Sequence, residues 1–488
     1  MKKLISILGI STLVITSTMT LVSCGFGGQR FGEIYVITDA GKVSDKSFNQ
    51  SGYMGGNRFI HNALSKPDKD EISYAQPATM TDAPWMYDRA FNSGAKALIL
   101  PGFKHANFLE TANNGAEGAG GVAILIDGSA TRPNGDMYEN TIGLSYRSDM
   151  SGFWAGTASI MHMLKTNPGV TPTLGTFGGM QNATAVDPFM AGFLASVLAY
   201  NDAFDGDSEV VKEKYKKIGI SFELDANFDY KNSKAAISAN QEKGYFKNEH
   251  SQWFTDSFDP GKGSDISETL INDKNKSNVV MPVAGPQTAD TLKVLKEEGK
   301  KGKAFVVGVD TDQVEMYSSD ADLFITSAEK DIVGSTALAL AHSGVFNDEL
   351  KEASNDDPEF NEKLSEMGNN LSVTTKDEET GEIGSDPLPL GLDFEKLDES
   401  DWKGMDLWLG GSISTSDLNK VEEENFKIMK EELGDSMLTA SLEYFKFVGE
   451  GNNTPDKTLS IETIQKYATT VLDGMSETNY GGFLSYGK

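Results

Sequence analysis

Cysteine is nearly absent from this chain: 488 residues hold one, Cys24. No internal disulfide can form from a single thiol. Histidine is almost as scarce. His61, His105, His162, His250 and His342 stand alone, no two of them at the spacing of metal ligands. A zinc site and a Cys–His nucleophile both find no support in that distribution. Positive charge is also short, with 43 Lys and Arg against 72 Asp and Glu and a formal net charge of −29. A surface that acidic repels nucleic acid, which excludes nucleic-acid binding as the main role. After residue 22 no apolar run is long enough to cross a bilayer.

What is present is enough apolar material, 39% of residues, for one large core or two medium ones. The N-terminus has its own logic. Lys2 and Lys3 precede an uncharged apolar stretch from Leu4 to Val22, the flanks and length of a secretory signal. Leu21-Val22-Ser23-Cys24 resembles the bacterial lipobox. That resemblance implies a signal peptide over 1–23, a lipidated Cys24, a flexible Gly-rich tether over 24–30 and attachment to the outer face of the cell membrane. Two acyl chains suffice for stable anchoring, at about 0.8 kcal/mol per buried CH₂.

From residue 31 onward, short apolar runs alternate with amphipathic stretches. Strands are predicted over 33–38, 96–100, 121–126, 173–177, 217–221, 278–283, 303–309 and 323–326. Helices are predicted over 49–64, 149–164, 186–200, 288–298, 417–433 and 461–472. Strand–helix alternation of this kind means βαβ units and parallel sheets, and near-continuous apolar strands fit sheets covered on both faces. The strands end on Asp39, Gly102, Asp127, Gly179, Gly285 and Asp310. In open α/β sheets ligands bind beyond the carboxyl ends of strands, although Asp and Gly are also ordinary turn residues there. Residues 223–250 and the acidic 345–395 look added to the framework.

The densest chemistry lies in Ile37-Thr38-Asp39-Ala40-Gly41-Lys42-Val43-Ser44-Asp45-Lys46-Ser47-Phe48-Asn49-Gln50. This segment follows a strand and opens a helix. Phe48 offers a flat face, and Asp39, Asp45 and Asn49 offer hydrogen bonds, a mixture suited to a neutral ring bearing hydroxyls. It lacks the glycine-rich cradle and Lys-Ser/Thr of a phosphate loop. The plainer reading is a capped helix start, with Asp45 or Ser47 as cap.

This segment resembles the opening signature of the basic membrane protein family, the purine nucleoside receptors of bacterial ABC importers. Further blocks continue the resemblance in order from residue 33 to 342. They include Pro101-Gly102-Phe103, Ile124 to Asp127, Tyr146 to Gly156, Gly175 to Gly179, Phe258 to Gly263, Val283-Ala284-Gly285, Gly308 to Gln313 and Thr326 to Lys330. The resemblance implies an α/β, type I periplasmic-binding-protein-like fold: two Rossmann-like lobes with parallel sheets hinged around a ligand cleft. Residues 31–145 and 327–398 would form lobe 1, residues 146–326 lobe 2, and 399–488 a partly helical C-terminal extension. The implied partners are a purine nucleoside (inosine, guanosine or adenosine), ABC permease subunits and, through the lipid, the membrane. Phe48 would stack on the base and Asp127 would bind it. Asp39 would contact the ligand, Asp310 and Lys330 would hold the ribose side, and Asp45, Asn49, Phe103, Gly179 and Gly285 would complete the ligand-binding set. No cofactor, metal or catalytic residue is implied, and the chain is not expected to be an enzyme. The sequence departs from the family near Val283, where a second ring-stacking aromatic is missing. Met281, Phe103, Phe177 and Trp253 are the residues that could cover the ring instead.

Two other roles stand beside this one: a receptor for a sugar or other polar small molecule in the same fold, and a surface adhesion or antigenic lipoprotein. Gly261-Lys262-Gly263-Ser264 imitates a phosphate loop but lacks its upstream glycine. Asp205-Gly206-Asp207-Ser208-Glu209 fails the EF-hand spacing.

Overall fold

The computed structural model describes residues 30–39, 41–272, 274–297, 304–356, 359–367, 372–376, 383–387, 392 and 401–476. The signal, Cys24 and the tether lie outside them. Among the described residues, no helix is long and apolar enough to cross a membrane.

The alternation builds two sheets. The first begins with strands β1 (Arg30–Ile37), β2 (Glu71–Ala75), β3 (Ala97–Pro101), β4 (Val122–Ile126) and β5 (Thr141–Tyr146). The second begins with β6 (Thr173–Gly178), β7 (Ala236–Ile237), β8 (Val279–Val283), β9 (Phe305–Asp310) and β10 (Phe324–Glu329). The chain then returns to the first sheet for β11 (Ser372–Lys376), β12 (Ile383–Pro387) and β13 (Met405–Leu409), and ends its strands in the second with β14 (Ser412–Ile413). The orders are β12-β11-β13-β5-β4-β3-β1-β2 and β14-β10-β9-β8-β6-β7. β1 to β5 pair in parallel, β13 joins β5 in parallel, and β6 to β10 are parallel throughout. The antiparallel pairs, β11 with β12 and β13 and β10 with β14, lie toward the edges. This is an α/β fold of two lobes, each built on a largely parallel sheet.

Central strands such as β3 (ALILP) and β4 (VAILI) are buried at every residue. Helices cover both their faces, so polar alternation has no place in them. In the second lobe the helices Ser148–Thr166 and Asp187–Asp205 pack tightly through glycine. A Cβ on Gly152 would stand 2.1 Å from the Phe189 carbonyl oxygen, and one on Gly192 would stand 1.9 Å from that of Asp149.

Residues 217–221, expected as a strand, are the last turns of the helix Glu209–Ser221. Their local K-I-G-I alternation imitates period 2. The longer period of Val211, Tyr215 and Ile218, all buried, is helical, and the Ser208 side chain accepts from the Val211 N–H at the N-terminus. The stretch expected as an extension after 399 is woven into both lobes. β13 extends the first sheet and β14 the second, while the helices Glu423–Gly449 and Ile461–Ser476 pack on the second lobe, with Phe426 against Trp154 and Tyr467 against Phe153.

The chain crosses between lobes three times: after β5, after β10 and after β13. These crossings are tied together. The Arg147 N–H donates to the Leu409 carbonyl at 2.9 Å. The Ser151 hydroxyl donates to the Glu329 carbonyl at 2.7 Å and accepts from the Ser412 N–H at 3.2 Å.

Candidate functional site

The carboxyl ends of the two sheets face one cavity of about 650 Å³, within the range of small-molecule sites. Asp39, Asp45, Phe48, Asn49, Phe103 and Asp127 line it from the first lobe, Gly285 and Asp310 from the second, and Lys330 from the crossing after β10.

Lys330 joins the two lobes at the cavity lining. Its side chain is 2% exposed, and its Nζ lies 2.6 Å from Asp127 Oδ2 and 3.5 Å from Asp310 Oδ1. It also donates to the Ala185 carbonyl at 3.1 Å. The rings of Phe48 and Phe189 stand 5.4 and 4.9 Å from the ammonium, within cation–π reach. Burial pushes the Asp127 carboxyl up to about 6, Lys330 pulls it down, and the nearby Asp310 pushes it up again. Burial likewise raises Asp310, against the opposing pull of Lys330. Both aspartates end a strand with positive φ, +65° at Asp127 and +69° at Asp310. Such left-handed backbone is costly for a side-chain-bearing residue and collects at functional sites.

The loop after β1 is organised by Asp45. Its carboxylate accepts from the backbone N–H groups of Ser47, Asn49 and Gln50 and from the Asn49 side chain, and so caps the helix Phe48–Asn62. Asn49 in turn ties Asp45 to Asp39, donating to Asp39 Oδ1 at 3.0 Å and accepting from the Asp39 N–H at 3.1 Å. Asp39 faces the Lys104 ammonium at 3.4 Å. Burial raises the Asp39 carboxyl and Lys104 lowers it. Gly102, at φ +112°, lets the next loop pass this carboxylate, since a Cβ there would stand 3.1 Å from Asp39 Oδ2.

Gly179 is set apart from the others. It does not line the cavity, although its neighbour Met180 does. The space of its missing side chain is filled by Phe258, whose Cδ1 would stand 2.4 Å from a Cβ. Phe258 lines the cavity from the second lobe and meets Phe103 edge-on across it at 6.3 Å, with the Lys104 ammonium 5.2 Å from its ring. Met281, Phe177 and Trp253 are fully buried in the core and do not line this cavity. Phe258 and Tyr317 are thus the wall aromatics that the sequence reading missed. Phe258 carried a signal, because it opens the Phe-Asp-Pro-Gly block. Tyr317 carried none. Among the described residues, no group of three or more His, Cys, Asp or Glu is placed to hold a metal.

Taken together the cavity offers carboxylates to accept hydroxyl hydrogens, one buried cation and several flat apolar faces. No protein-family model matches the chain. Two curated proteins, the CD4+ T-cell-stimulating antigens of Listeria innocua and Listeria monocytogenes, are each 26% identical to it over 211 residues, 41% of this chain and 55% of theirs. The chain therefore spans about half the length of the curated relatives it matches. Solved structures of similar arrangement include an ABC transporter system solute-binding protein from Aeropyrum pernix K1, with TM-score 0.49 and 16% identity over 91% of this chain and 92% of that one. Another is the ABC transporter system solute-binding protein of Conexibacter woesei DSM 14684, with TM-score 0.42 and 15% identity over 64% of this chain and 80% of that one.

Proposed function

We propose that this chain captures a small polar ligand between its lobes for an ABC importer, and that within this class the ligand is a purine nucleoside. The observation that supports the reading is the composition of one cavity wall. Phe48, Phe103 and Phe258 stand on the same 650 Å³ space as Asp39, Asp127 and Asp310. A base needs the flat faces, and aromatic stacking contributes about 1–3 kcal/mol per base in nucleic-acid systems. A ribose needs carboxylate acceptors, whose charge-assisted bonds are the stronger kind. Closure of the lobes about the three crossings buries the ligand and presents the closed form to the permease. Reversible capture requires neither nucleophile nor acid–base pair.

The signature around Cys24 extends the proposal to a lipid anchor on the outer face of the cell membrane. Partition of the mature protein into detergent, lost in a Cys24→Ser variant, tests that part.

A second reading, a sugar receptor, is favoured by the buried Asp127–Lys330–Asp310 group, which suits a compact polyol without needing the aromatic wall. Titration calorimetry with inosine, guanosine, adenosine and ribose separates the two. Binding of a nucleoside with no heat from ribose supports the first, binding of ribose alone supports the second, and silence from all four sinks both for these ligands.

A further inference from the structure

Two segments meet across the cleft at the cavity wall, which Lys46 and Tyr317 both line. From the first lobe comes Lys46, a non-glycine residue held at φ +55°. From the second comes the short helix Gln313–Met316 with Tyr317 behind it. Lys46 reaches over twice. Its ammonium donates to the Met316 carbonyl at 2.9 Å and lies 4.6 Å from the centre of the Tyr317 ring. Its own carbonyl accepts from Gln313 Nε2 at 3.3 Å.

Gln313 is built to make that contact rigid. Its side chain is fully buried and does not line the cavity. Oε1 accepts from the Val309 N–H at 3.0 Å and from the Thr288 hydroxyl at 2.9 Å, while Nε2 also donates to the Gly285 carbonyl at 3.3 Å. Its backbone N–H donates to the Ser327 hydroxyl at 3.1 Å. One amide thus draws on the ends of β8 and β9, and a single arm of it extends to the other lobe. An amide fixed by three partners loses little freedom in taking a fourth, which is the condition for a preorganised contact.

We propose that Lys46 and Gln313 form the closure latch of this cleft, with Gln313 a positioning residue that sets how long a ligand stays without touching it. The proposal rests on the capture function above. Contacts made only in the closed state slow opening, so they act on dissociation and leave association nearly unchanged.

Two variants test it. Lys46→Met keeps the stem and removes the ammonium. Gln313→Glu keeps the acceptor for Val309 and Thr288 and replaces the donor with an oxygen that repels the carbonyls of both Lys46 and Gly285. Stopped-flow displacement of a bound nucleoside should show koff raised about tenfold in each with kon changed less than about twofold. Small-angle scattering of the unliganded chain should show both variants more open than the wild type. Unchanged koff together with unchanged scattering, in whichever variant keeps the wild-type melting temperature, would overturn the latch. If the wild type binds no nucleoside or sugar, the capture reading fails, and the scattering comparison alone still decides the latch.

Discussion

The Lys330 ammonium stands 2.6 Å from the Asp127 carboxylate, although 203 residues separate them in the chain. Asp310, ending a strand of the other sheet, completes the group at 3.5 Å. The crossing after β10 therefore carries a charge that both lobes grip. Removing it should be severe. Lys330→Met leaves two buried carboxylates without their cation, a loss that costs about 3–5 kcal/mol when one partner of a buried pair is deleted. Denaturant unfolding should show a midpoint reduced accordingly, together with loss of ligand binding. A variant as stable as the wild type would mean that solvent reaches the aspartates and that the buried group has been misread.

The same group predicts how binding responds to acid. Burial lifts Asp127 to about 6, so near neutral pH its carboxylate is mostly ionised and able to accept a ligand hydroxyl. As pH falls through 6 the folded protein takes up the proton, and the acceptor becomes a donor. Affinity should therefore fall as pH drops from 7 to 5, with proton release on binding near pH 6. Calorimetry in buffers of differing ionisation enthalpy measures that release. Asp127→Asn should remove the pH dependence along with part of the affinity. Stability runs the other way for this residue taken alone. Its folded pKa lies above the unfolded value of 3.8, so the folded state holds the extra proton between about pH 4 and 6, and this contribution to stability is lost as pH rises through that window.

Much of the lining of this cavity is legible in the sequence, and the reason is local. β1 and β9 announce themselves by apolar runs, and their ends, Asp39 and Asp310, follow from where the runs stop. The loop from Asp39 to Asn49 is a single short segment whose cap, Asp45, obeys ordinary helix-start chemistry. What sequence could not supply was distance. Phe258 enters the wall through a close approach that Gly179 permits, 79 positions earlier in the chain. Tyr317 enters because its helix docks on Lys46. β13 also escaped notice. Met405 and Asp406 are exposed and Trp408 half-buried, so the strand lacks the continuous apolar run that marked its parallel neighbours. Asp406 instead turns to the loop after β4, where its carboxylate accepts from the Ala130 N–H.

Glu329 shows the opposite use of burial. It sits beside Lys330 in sequence, but its carboxylate accepts from the Ser414 hydroxyl at 2.5 Å, away from the ligand cavity. Burial raises it to about 8. The folded form thus binds a proton that the unfolded chain releases near 4.5, and stability from this group declines as pH rises from about 4.5 to 8 and is flat beyond. Glu329→Gln keeps an acceptor for Ser414 and removes the titration. Thermal melts should coincide for the two proteins below about pH 4, and the variant should melt higher at pH 9. Equal melting temperatures at both pH values would show that Glu329 is already ionised and solvated.

The aromatic wall separates the nucleoside reading from the sugar reading most directly. Phe48 is half-buried against the first lobe and Phe258 against the second, so neither is a central core residue, and alanine at either position should leave the fold intact. If a base lies against Phe48, Phe48→Ala should weaken nucleoside binding by about 10- to 100-fold, the equivalent of about 1–3 kcal/mol of stacking. Phe258→Ala removes the ring that meets Phe103 and should act in the same direction. A sugar held by Asp127, Lys330 and Asp310 has no such dependence. Loss of affinity for nucleosides in both variants, with ribose silent throughout, fits a stacked base. Unaltered affinity in both would mean that no ring rests on this wall, and the ligand would then be held by its hydroxyls alone.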